Sequence, residues 1–169
     1  MVLYHGSNTI VNKPQLIEQK RGLDFGPGFY LTTSEDQAVR FSKIVLKRRK
    51  TGSAMVNVYT FDLDEAEKTL AVRKFNGADI EWLRFVVENR LKAYSGNDYD
   101  VVIGVVANDT VMPTIQAHLS GFINEEAALI TLKTSKLVDQ VCLKTERALS
   151  LLHFNSAFDI TEKKGLNNQ

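Results

Sequence analysis

Hydrophobic and polar residues follow one another in two rhythms along the chain, and these rhythms predict a mixture of strands and helices. Short apolar or alternating runs bounded by turn residues predict strands at residues 2–5, 29–32, 56–61, 101–106, 138–143 and 158–160. Apolar residues at helical spacing predict helices within residues 34–50, 79–91, 110–121, 124–132 and 147–152. The elements mix without a regular strand–helix–strand order, so we expect an α+β domain rather than a doubly wound α/β domain.

Length and composition are those of one globular domain. The chain has 169 residues, of which 44% are hydrophobic and 24% charged, so it can bury a core without disulfides or metals. We expect a single domain over residues 1–160 and a polar, frayed tail over residues 161–169. The net charge of +1 gives no general attraction to nucleic acids or to anionic membranes.

The N-terminal residues and the cysteine content bear on localisation. The first residues lack a basic region followed by an apolar run, and no window has the length of a membrane span. Cys142 is the only cysteine, which excludes an internal disulfide and a cysteine-based metal cluster and suits a reducing compartment. We therefore expect a cytoplasmic protein that does not bind a membrane or a metal.

A histidine at the end of the first predicted strand is the first candidate site residue. In the stretch 3-LYHGS-7, His5 is followed by Gly6 and Ser7, so its ring can lie beside exposed backbone groups. A neutral imidazole offers one donor and one acceptor, which suits the hydroxyl groups of a ribose. The alternative is a strand-end histidine that only satisfies the local backbone.

The stretch 26-GPGFYLTT-33 joins turn chemistry to an aromatic pair. Gly26 and Gly28 allow a flat ligand to approach the backbone closely, and Pro27 stiffens the loop between them. Phe29 and Tyr30 point to opposite faces of a strand, so one belongs to the core and the other could stack on a ring in a cleft. The alternative is an ordinary turn followed by a hydrophobic strand.

The third candidate opens the strand in 139-DQVCLKT-145. The amide of Gln140 can accept from a sugar hydroxyl and donate to a carbonyl, although an exposed glutamine at a strand start is the simpler interpretation. Cys142 shares the face of Gln140 and has no visible basic partner, so we interpret it as a core residue. The acids within residues 98–109 are interpreted as loop caps, and the basic run at residues 47–50 as a solvated helix end.

Four stretches taken in order resemble a small bacterial family, domain of unknown function 3990, over residues 2–154: LYHGS, DFGPGFYLT, YDVVIGVVANDT and QVCLKTERAL. That family is thought to be similar to ADP-ribosyltransferases, and LYHGS, GPGFYLT and DQVCLKT look like the signature of their diphtheria-toxin-like branch. The resemblance implies a split antiparallel or mixed sheet that is flanked by helices and holds NAD in a cleft. It also implies that NAD is the substrate and that no metal is needed.

The resemblance further implies a role for each motif. His5 matches the histidine that holds the ribose and the amide of NAD, and Tyr30 matches the tyrosine that stacks on nicotinamide. Gln140 stands where these transferases most often have a glutamate that assists ribosyl transfer. Four more residues are implied to contact NAD: Gly6, Ser7, Gly28 and Thr32.

Three functions are compatible with these observations. The first is an NAD-dependent ADP-ribosyltransferase that modifies a protein or nucleic acid as a bacterial toxin or effector, and the resemblance permits an antitoxin partner. The second is a module that binds NAD or ADP-ribose without transfer. Gln140 favours it, because an amide stabilises a cationic ribosyl group less than a carboxylate does. The third and weaker one is an interaction domain in which the glycine loop is only a turn.

Overall fold

The computed structural model describes residues 1–17, 22–91, 98–106, 111–133 and 138–160. Seven strands lie within these ranges: β1 (Val2–Ser7), β2 (Phe29–Leu31), β3 (Met55–Phe61), β4 (Val72–Lys74), β5 (Val101–Val105), β6 (Asp139–Leu143) and β7 (Leu152–Asp159). Six helices lie in the same ranges: α1 (Glu35–Arg49), α2 (Leu63–Thr69), α3 (Ile80–Arg90), α4 (Met112–Leu119), α5 (Glu125–Lys133) and α6 (Glu146–Leu149). The tail predicted at residues 161–169 lies outside the described residues.

The strands form two sheets. In the first sheet, β3 lies between β1 and β7 and is antiparallel to both. In the second sheet the order is β2, β6, β5, β4, and the pairs are antiparallel except for the parallel pair of β4 and β5. The predicted α+β class with antiparallel and mixed pairing is therefore confirmed.

One β-bridge joins the two sheets in the described part of the chain. The N–H of Tyr4 donates to the carbonyl of Thr32 at 2.8 Å, and the N–H of Thr32 donates to the carbonyl of Tyr4 at 3.0 Å. Because β1 and β2 are edge strands of their sheets, the bridge lies where the two edges meet. We call this region the sheet junction, and the first two sequence motifs lie directly on it.

Side-chain caps explain where two of the longer helices begin. The hydroxyl of Ser34 accepts from the N–H of Gln37 at 3.2 Å, and the carboxylate of Asp79 accepts from the N–H of Trp82 at 2.8 Å. Both caps agree with the sequence prediction, since serine and aspartate satisfy the free N–H groups of a first helical turn. Among the described helices, none combines the length and the apolar composition that crossing a membrane requires.

Two apolar cores lie on opposite faces of the second sheet. The inter-sheet core is built from both sheets and includes the fully buried residues Leu3, Tyr59, Phe61, Val141 and Leu143. The helix-side core is built from the other face and from α3, α4 and α5, and it includes Trp82, Leu83, Val102, Ile115 and Cys142. Successive residues of β6 alternate between the two cores, as the pleat of a strand requires.

Strand β1 is longer than the sequence predicted. It continues through Gly6 and Ser7, which pair with Val56 and Met55 of β3. Helix α1 packs directly on this part of the strand, because a Cβ atom at position 6 would lie only 2.2 Å from the carbonyl oxygen of Ala38. The prediction that Gly6 ends the strand is wrong, and the glycine instead permits close packing of the helix.

Four other elements differ from the prediction. Helix α2 buries only Ala66, and β4 has no fully buried residue, so neither has an apolar period that sequence inspection could detect. Strand β7 begins at Leu152, where the sequence predicted the end of a helix, and the helix α6 ends earlier, at Leu149. A register shift of β7 against Val58 and Tyr59 of β3 breaks the alternation that would have indicated the strand.

Candidate functional site

The three main predicted site residues lie on three strands that meet at the sheet junction. His5 is on β1, Tyr30 on β2 and Gln140 on β6. The β2–β6 ladder, continued by one residue, places Thr32 opposite Gln140. Thr32 in turn bridges to Tyr4, the neighbour of His5. The fold therefore brings residues from the beginning and the end of the sequence to one region.

The backbone ladder between β1 and β2 stops after the Tyr4–Thr32 bridge. In a continuous antiparallel ladder the next hydrogen-bonded pair would join Gly6 to Tyr30, because such pairs recur every two residues. No such backbone bond forms between these described residues, and the carbonyl oxygen of Tyr30 lies 2.8 Å from Nδ1 of His5. Gly6 has the same backbone orientation as Tyr4, so its N–H and C=O groups face the opening between the strands.

The contacts of His5 define which of its ring nitrogens carries the proton. The carbonyl of Tyr30 can only accept, so Nδ1 donates to it and the neutral ring leaves Nε2 as an acceptor. Burial lowers the pKa of His5 below its ordinary value of 6.5, and the hydrogen bond to Tyr30 opposes this only in part. The ring also lies against Phe29, with the ring centroids 4.5 Å apart. The described contacts therefore hold the ring in place, and none of them involves the acceptor nitrogen Nε2.

Phe29 and Tyr30 point to opposite faces of the second sheet. Phe29 is buried in the inter-sheet core, so it is the member of the pair that the alternation required to be in the core. Tyr30 lies on the other face, where its hydroxyl donates to the carbonyl of Gly26 at 2.5 Å and accepts from the N–H of Phe25 at 3.2 Å. Burial, followed by the neighbouring Cys142, raises the pKa of Tyr30, so the phenol stays protonated. Its stacking on a ligand ring stays a prediction.

Different structural features explain why Gly26 and Gly28 of the loop are glycines. Gly26 has a φ of 76°, a left-handed conformation that glycine adopts without strain. Gly28 is packed against β6, because a Cβ atom there would lie 2.4 Å from Sγ of Cys142 and 2.7 Å from the carbonyl oxygen of Leu143. Packing alone therefore explains a glycine at position 28, and its predicted contact with NAD stays a prediction.

Gln140 carries an unsatisfied polar atom. It pairs with Gly104 of β5, and its Nε2 atom is buried without a hydrogen-bond partner among the described residues. Buried amide groups are normally hydrogen-bonded, so the described contacts leave the burial of this one unexplained. The exposed-glutamine alternative does not describe this atom, because Nε2 is inaccessible to solvent.

Cys142 is fully buried two residues further along β6. Burial raises the pKa of its thiol to about 12, so the thiol is protonated at neutral pH and is a poor nucleophile. The interpretation of Cys142 as a core residue is confirmed. In the ranges that the structure covers, no group of three or more His, Cys, Asp or Glu side chains is arranged to hold a metal ion.

Thr32 and Ser7 are the remaining predicted contacts, and both are buried. The hydroxyl of Thr32 donates to the carbonyl of Asp139 at 2.8 Å and accepts from the N–H of Ser34 at 3.1 Å. Thr32 thus ties β2 to the start of β6 and to the start of α1. Ser7 ends β1 opposite Met55. These residues shape the sheet junction, and their contact with NAD stays a prediction.

A buried polar cluster beside the glycine loop was not predicted from the sequence. Nζ of Lys144 donates to the carbonyls of Phe25 at 2.6 Å and Pro27 at 3.3 Å, although the residue is only 7% exposed. The buried carboxylate of Asp24 accepts from Nε of Arg90 at 2.7 Å. The only signal in the sequence was a lysine, Lys144, directly after the apolar strand β6. Lysine side chains are usually exposed to solvent, so this signal did not indicate burial.

The comparison with protein families identifies the chain. The family model described as "Protein of unknown function (DUF3990)" matches residues 1–154. The chain belongs to this family. The match includes the sheet junction, the glycine loop and β6, so all seven predicted site residues lie within the part that defines DUF3990. No curated protein and no solved structure matches the chain.

Proposed function

We propose that the sheet junction binds NAD and that the protein is an NAD-dependent ADP-ribosyltransferase acting on a macromolecular acceptor. The observation that carries the proposal is the interrupted ladder between Gly6 and Tyr30, which leaves the Gly6 backbone groups unpaired with β2 while His5 binds the carbonyl of Tyr30 through Nδ1. The resemblance to split-sheet transferases supports the same assignment. In this proposal the two edge strands are the walls of the NAD cleft.

The residues of the junction fit the two parts of NAD that react. The N–H and C=O of Gly6 are a donor–acceptor pair suited to the carboxamide of nicotinamide. The Nε2 atom of His5 would accept from a ribose hydroxyl, and the unpartnered Nε2 atom of Gln140 would donate to a ribose oxygen. The ring of Tyr30 would stack on nicotinamide.

In the proposed reaction the bond between ribose C1′ and nicotinamide breaks, nicotinamide keeps the electron pair, and a nucleophilic atom of the acceptor bonds to C1′ and loses its proton. The ribose is cationic in the transition state, so a neutral histidine is better suited to hold it than an imidazolium. The lowered pKa of His5 keeps the ring neutral near pH 7. Tyr30 and Gly6 would hold the leaving ring and help to exclude water.

A second candidate, a module that binds NAD or ADP-ribose without transfer, is favoured by the amide at position 140. A carboxylate would stabilise the cationic ribose more strongly. Glu146 does not supply one, because β6 ends at Leu143 and Glu146 is an exposed residue at the start of α6. Transfer by this protein would therefore depend on holding and orienting the substrate more than on a carboxylate.

The biological setting of the proposal comes from the resemblance alone. It suggests a bacterial toxin or effector of a toxin–antitoxin or defence system, acting in the cytoplasm on a protein or nucleic acid. An antitoxin protein would be its partner. The near-neutral net charge of +1 favours neither type of acceptor.

Incubation of the purified protein with a bacterial lysate and NAD labelled on its adenylate part tests the proposal. Label on protein or nucleic acid supports the transferase, and calorimetric binding of NAD without transfer or hydrolysis supports the binding module. Absence of NAD binding would exclude both. Tyr30→Ala is the site control: if expression inhibits growth and this variant inhibits it equally, the site assignment is wrong.

A further inference from the structure

We infer that Lys144 is a positioning residue for the proposed NAD site and acts through the loop that holds the hydroxyl group of Tyr30. The effect on NAD rests on the proposed function, whereas the structural part rests only on contacts within the protein. Lys144 directly follows the last residue of β6, and Gln140 lies near the first. Strand β6 and the residue that follows it therefore carry both a candidate ligand contact and a support for the stacking residue.

The ammonium group of Lys144 binds the glycine loop from within the protein. Its two acceptors, the carbonyls of Phe25 and Pro27, flank Gly26 on both sides. Gly26 has no room for a side chain, because a Cβ atom there would lie 3.1 Å from Nζ of Lys144 and 2.6 Å from Oδ1 of Asn89. The loop is thus in close contact with Lys144 at its centre.

Tyr30 binds two of the same three loop residues, Phe25 and Gly26. Its hydroxyl donates to the carbonyl of Gly26 at 2.5 Å and accepts from the N–H of Phe25 at 3.2 Å. Displacement of these backbone groups would displace the hydroxyl, and with it the ring. The position of the Tyr30 ring therefore depends on one carbonyl and one N–H of the loop, whose neighbouring carbonyls are bound by Lys144.

The preceding part of the loop has its own anchor. Arg90 of α3 forms an ion pair with Asp24, and a Cβ atom at Gly22 would lie 2.4 Å from the carbonyl oxygen of Arg90.

An apolar side chain as long as that of Lys144 would fill the buried space without the penalty of desolvating an ammonium group. The specific contribution of Lys144 is therefore the direction of the two carbonyls that it binds.

The variant Lys144→Met tests the inference, because methionine keeps an unbranched side chain and removes the N–H donors. Lys68→Met on the exposed helix α2 is the matched control. Both proteins are labelled with 3-fluorotyrosine, and the fluorine resonance of Tyr30 is identified by its absence in Tyr30→Phe. We expect Lys144→Met to shift this resonance and to weaken NAD binding about tenfold or more, whereas Lys68→Met changes neither.

A double-mutant cycle separates positioning from general damage to the fold. Tyr30→Phe keeps the ring and removes the hydroxyl that binds the loop. If Lys144 acts through that hydroxyl, the combined variant loses about as much NAD affinity as Lys144→Met alone. Losses that simply multiply would show that Lys144 acts by another route and would overturn the inference.

The possible results keep the inference distinct from the proposed function. Failure of the wild-type protein to bind NAD would exclude the proposed function, while the resonance of Tyr30 would still decide whether Lys144 positions the ring. An unmoved resonance in folded Lys144→Met overturns the inference. If that variant does not fold, Lys144→Gln replaces it, with two donors on a shorter side chain. A Tyr30 resonance shifted from its wild-type position then supports the inference, and an unmoved resonance overturns it.

Discussion

The Nδ1 atom of His5 lies 2.8 Å from the carbonyl oxygen of Tyr30, where a continuous antiparallel ladder would have placed the N–H of Gly6. One side chain thus has an observed role and a proposed role at the sheet junction. Nδ1 joins the edge strands, and the proposed function assigns Nε2 to the ligand. These roles can be separated, because asparagine carries a donor close to the position of Nδ1 and has no counterpart of Nε2.

We expect His5→Asn to keep the junction and lose NAD binding, whereas His5→Ala loses both. Removal of the hydrogen bond in His5→Ala should lower the free energy of unfolding by about 1 kcal/mol, and His5→Asn should stay near the wild-type value. Denaturant unfolding and NAD calorimetry measure the two effects. Equal destabilisation by both variants would contradict the role of Nδ1, and retained NAD binding in His5→Asn would remove Nε2 from the site.

The lowered pKa of His5 predicts a pH dependence of stability. Burial brings the folded-state pKa below the ordinary value of 6.5, so between these two values the unfolded chain binds more protons than the folded one. The stability that depends on neutral His5 is therefore complete above that ordinary value and is lost as the pH falls towards the folded-state pKa. NAD affinity should fall only as the pH drops through the folded-state pKa of His5, because protonation of the folded protein removes the acceptor at Nε2.

Unfolding measured at about pH 7.5 and about pH 5.5 tests this expectation. The wild-type protein should lose more stability between the two conditions than His5→Asn, in which position 5 cannot titrate. The difference between the proteins isolates His5 from the other groups that titrate in this range. Equal losses would show that His5 is not held neutral by the fold.

Elements with strong local signals were predictable from the sequence. The apolar run that forms β5 and the caps Ser34 and Asp79 need only neighbouring residues for their interpretation. The true length of β1 was not predictable, because it depends on pairing with β3 and on the fit of α1 over Gly6. Packing of the strand against the helix determines where β1 ends, and the local Gly-Ser sequence carries no information about that packing.

The candidate site was predictable as a set of motifs and not as a set of contacts. The strand alternation correctly put Phe29 and Tyr30 on opposite faces, and the local strand patterns placed His5, Tyr30 and Gln140 on separate strands. The contact of Lys144 with Phe25 joins residues 119 positions apart, and no local pattern indicates it. At His5, a side-chain hydrogen bond to Tyr30 takes the place of the backbone bond that Gly6 would have made. This replacement likewise depends on where the two sheets separate.

Gly28→Ala should destabilise the protein by about 2 kcal/mol, because the added methyl group would collide with Cys142 and with the backbone of Leu143. The backbone angles are not the cause, since Gly28 has no left-handed φ. The variant Cys142→Ala removes the nearest colliding atom, Sγ. Its combination with Gly28→Ala should therefore be more stable than the sum of the two single effects predicts, as measured by denaturant unfolding.

Gly121→Ala is the matched control for this cycle. A Cβ atom at position 121 meets nothing within 4 Å, although the φ of 76° makes alanine strained there. Its effect should add to that of Cys142→Ala without coupling. Additive effects for Gly28→Ala as well would show that the glycine does not serve packing against β6, and close approach of a ligand would become its better explanation.

Gln140→Met should leave the free energy of unfolding unchanged or raise it. Nε2 of Gln140 has no partner within the described part of the protein, and an unpaired buried polar group costs about 1–3 kcal/mol. Methionine has a similar length and no polar hydrogen. NAD binding should weaken, while Gln116→Met on the exposed face of α4 affects neither property. A marked loss of stability would mean that the amide has a structural partner.

Gln140→Glu should increase the release of nicotinamide from NAD about tenfold or more, because a carboxylate stabilises a cationic ribose better than an amide does. No hydrogen bond among the described residues is lost at Nε2, so the substitution changes charge more than contacts. Burial raises the pKa of a carboxyl group, and only the ionised form would help, so the gain should grow as the pH rises. Gln116→Glu is the control for charge alone. An unchanged rate at every pH, in a variant that still binds NAD, would place Gln140 outside the reacting part of the site.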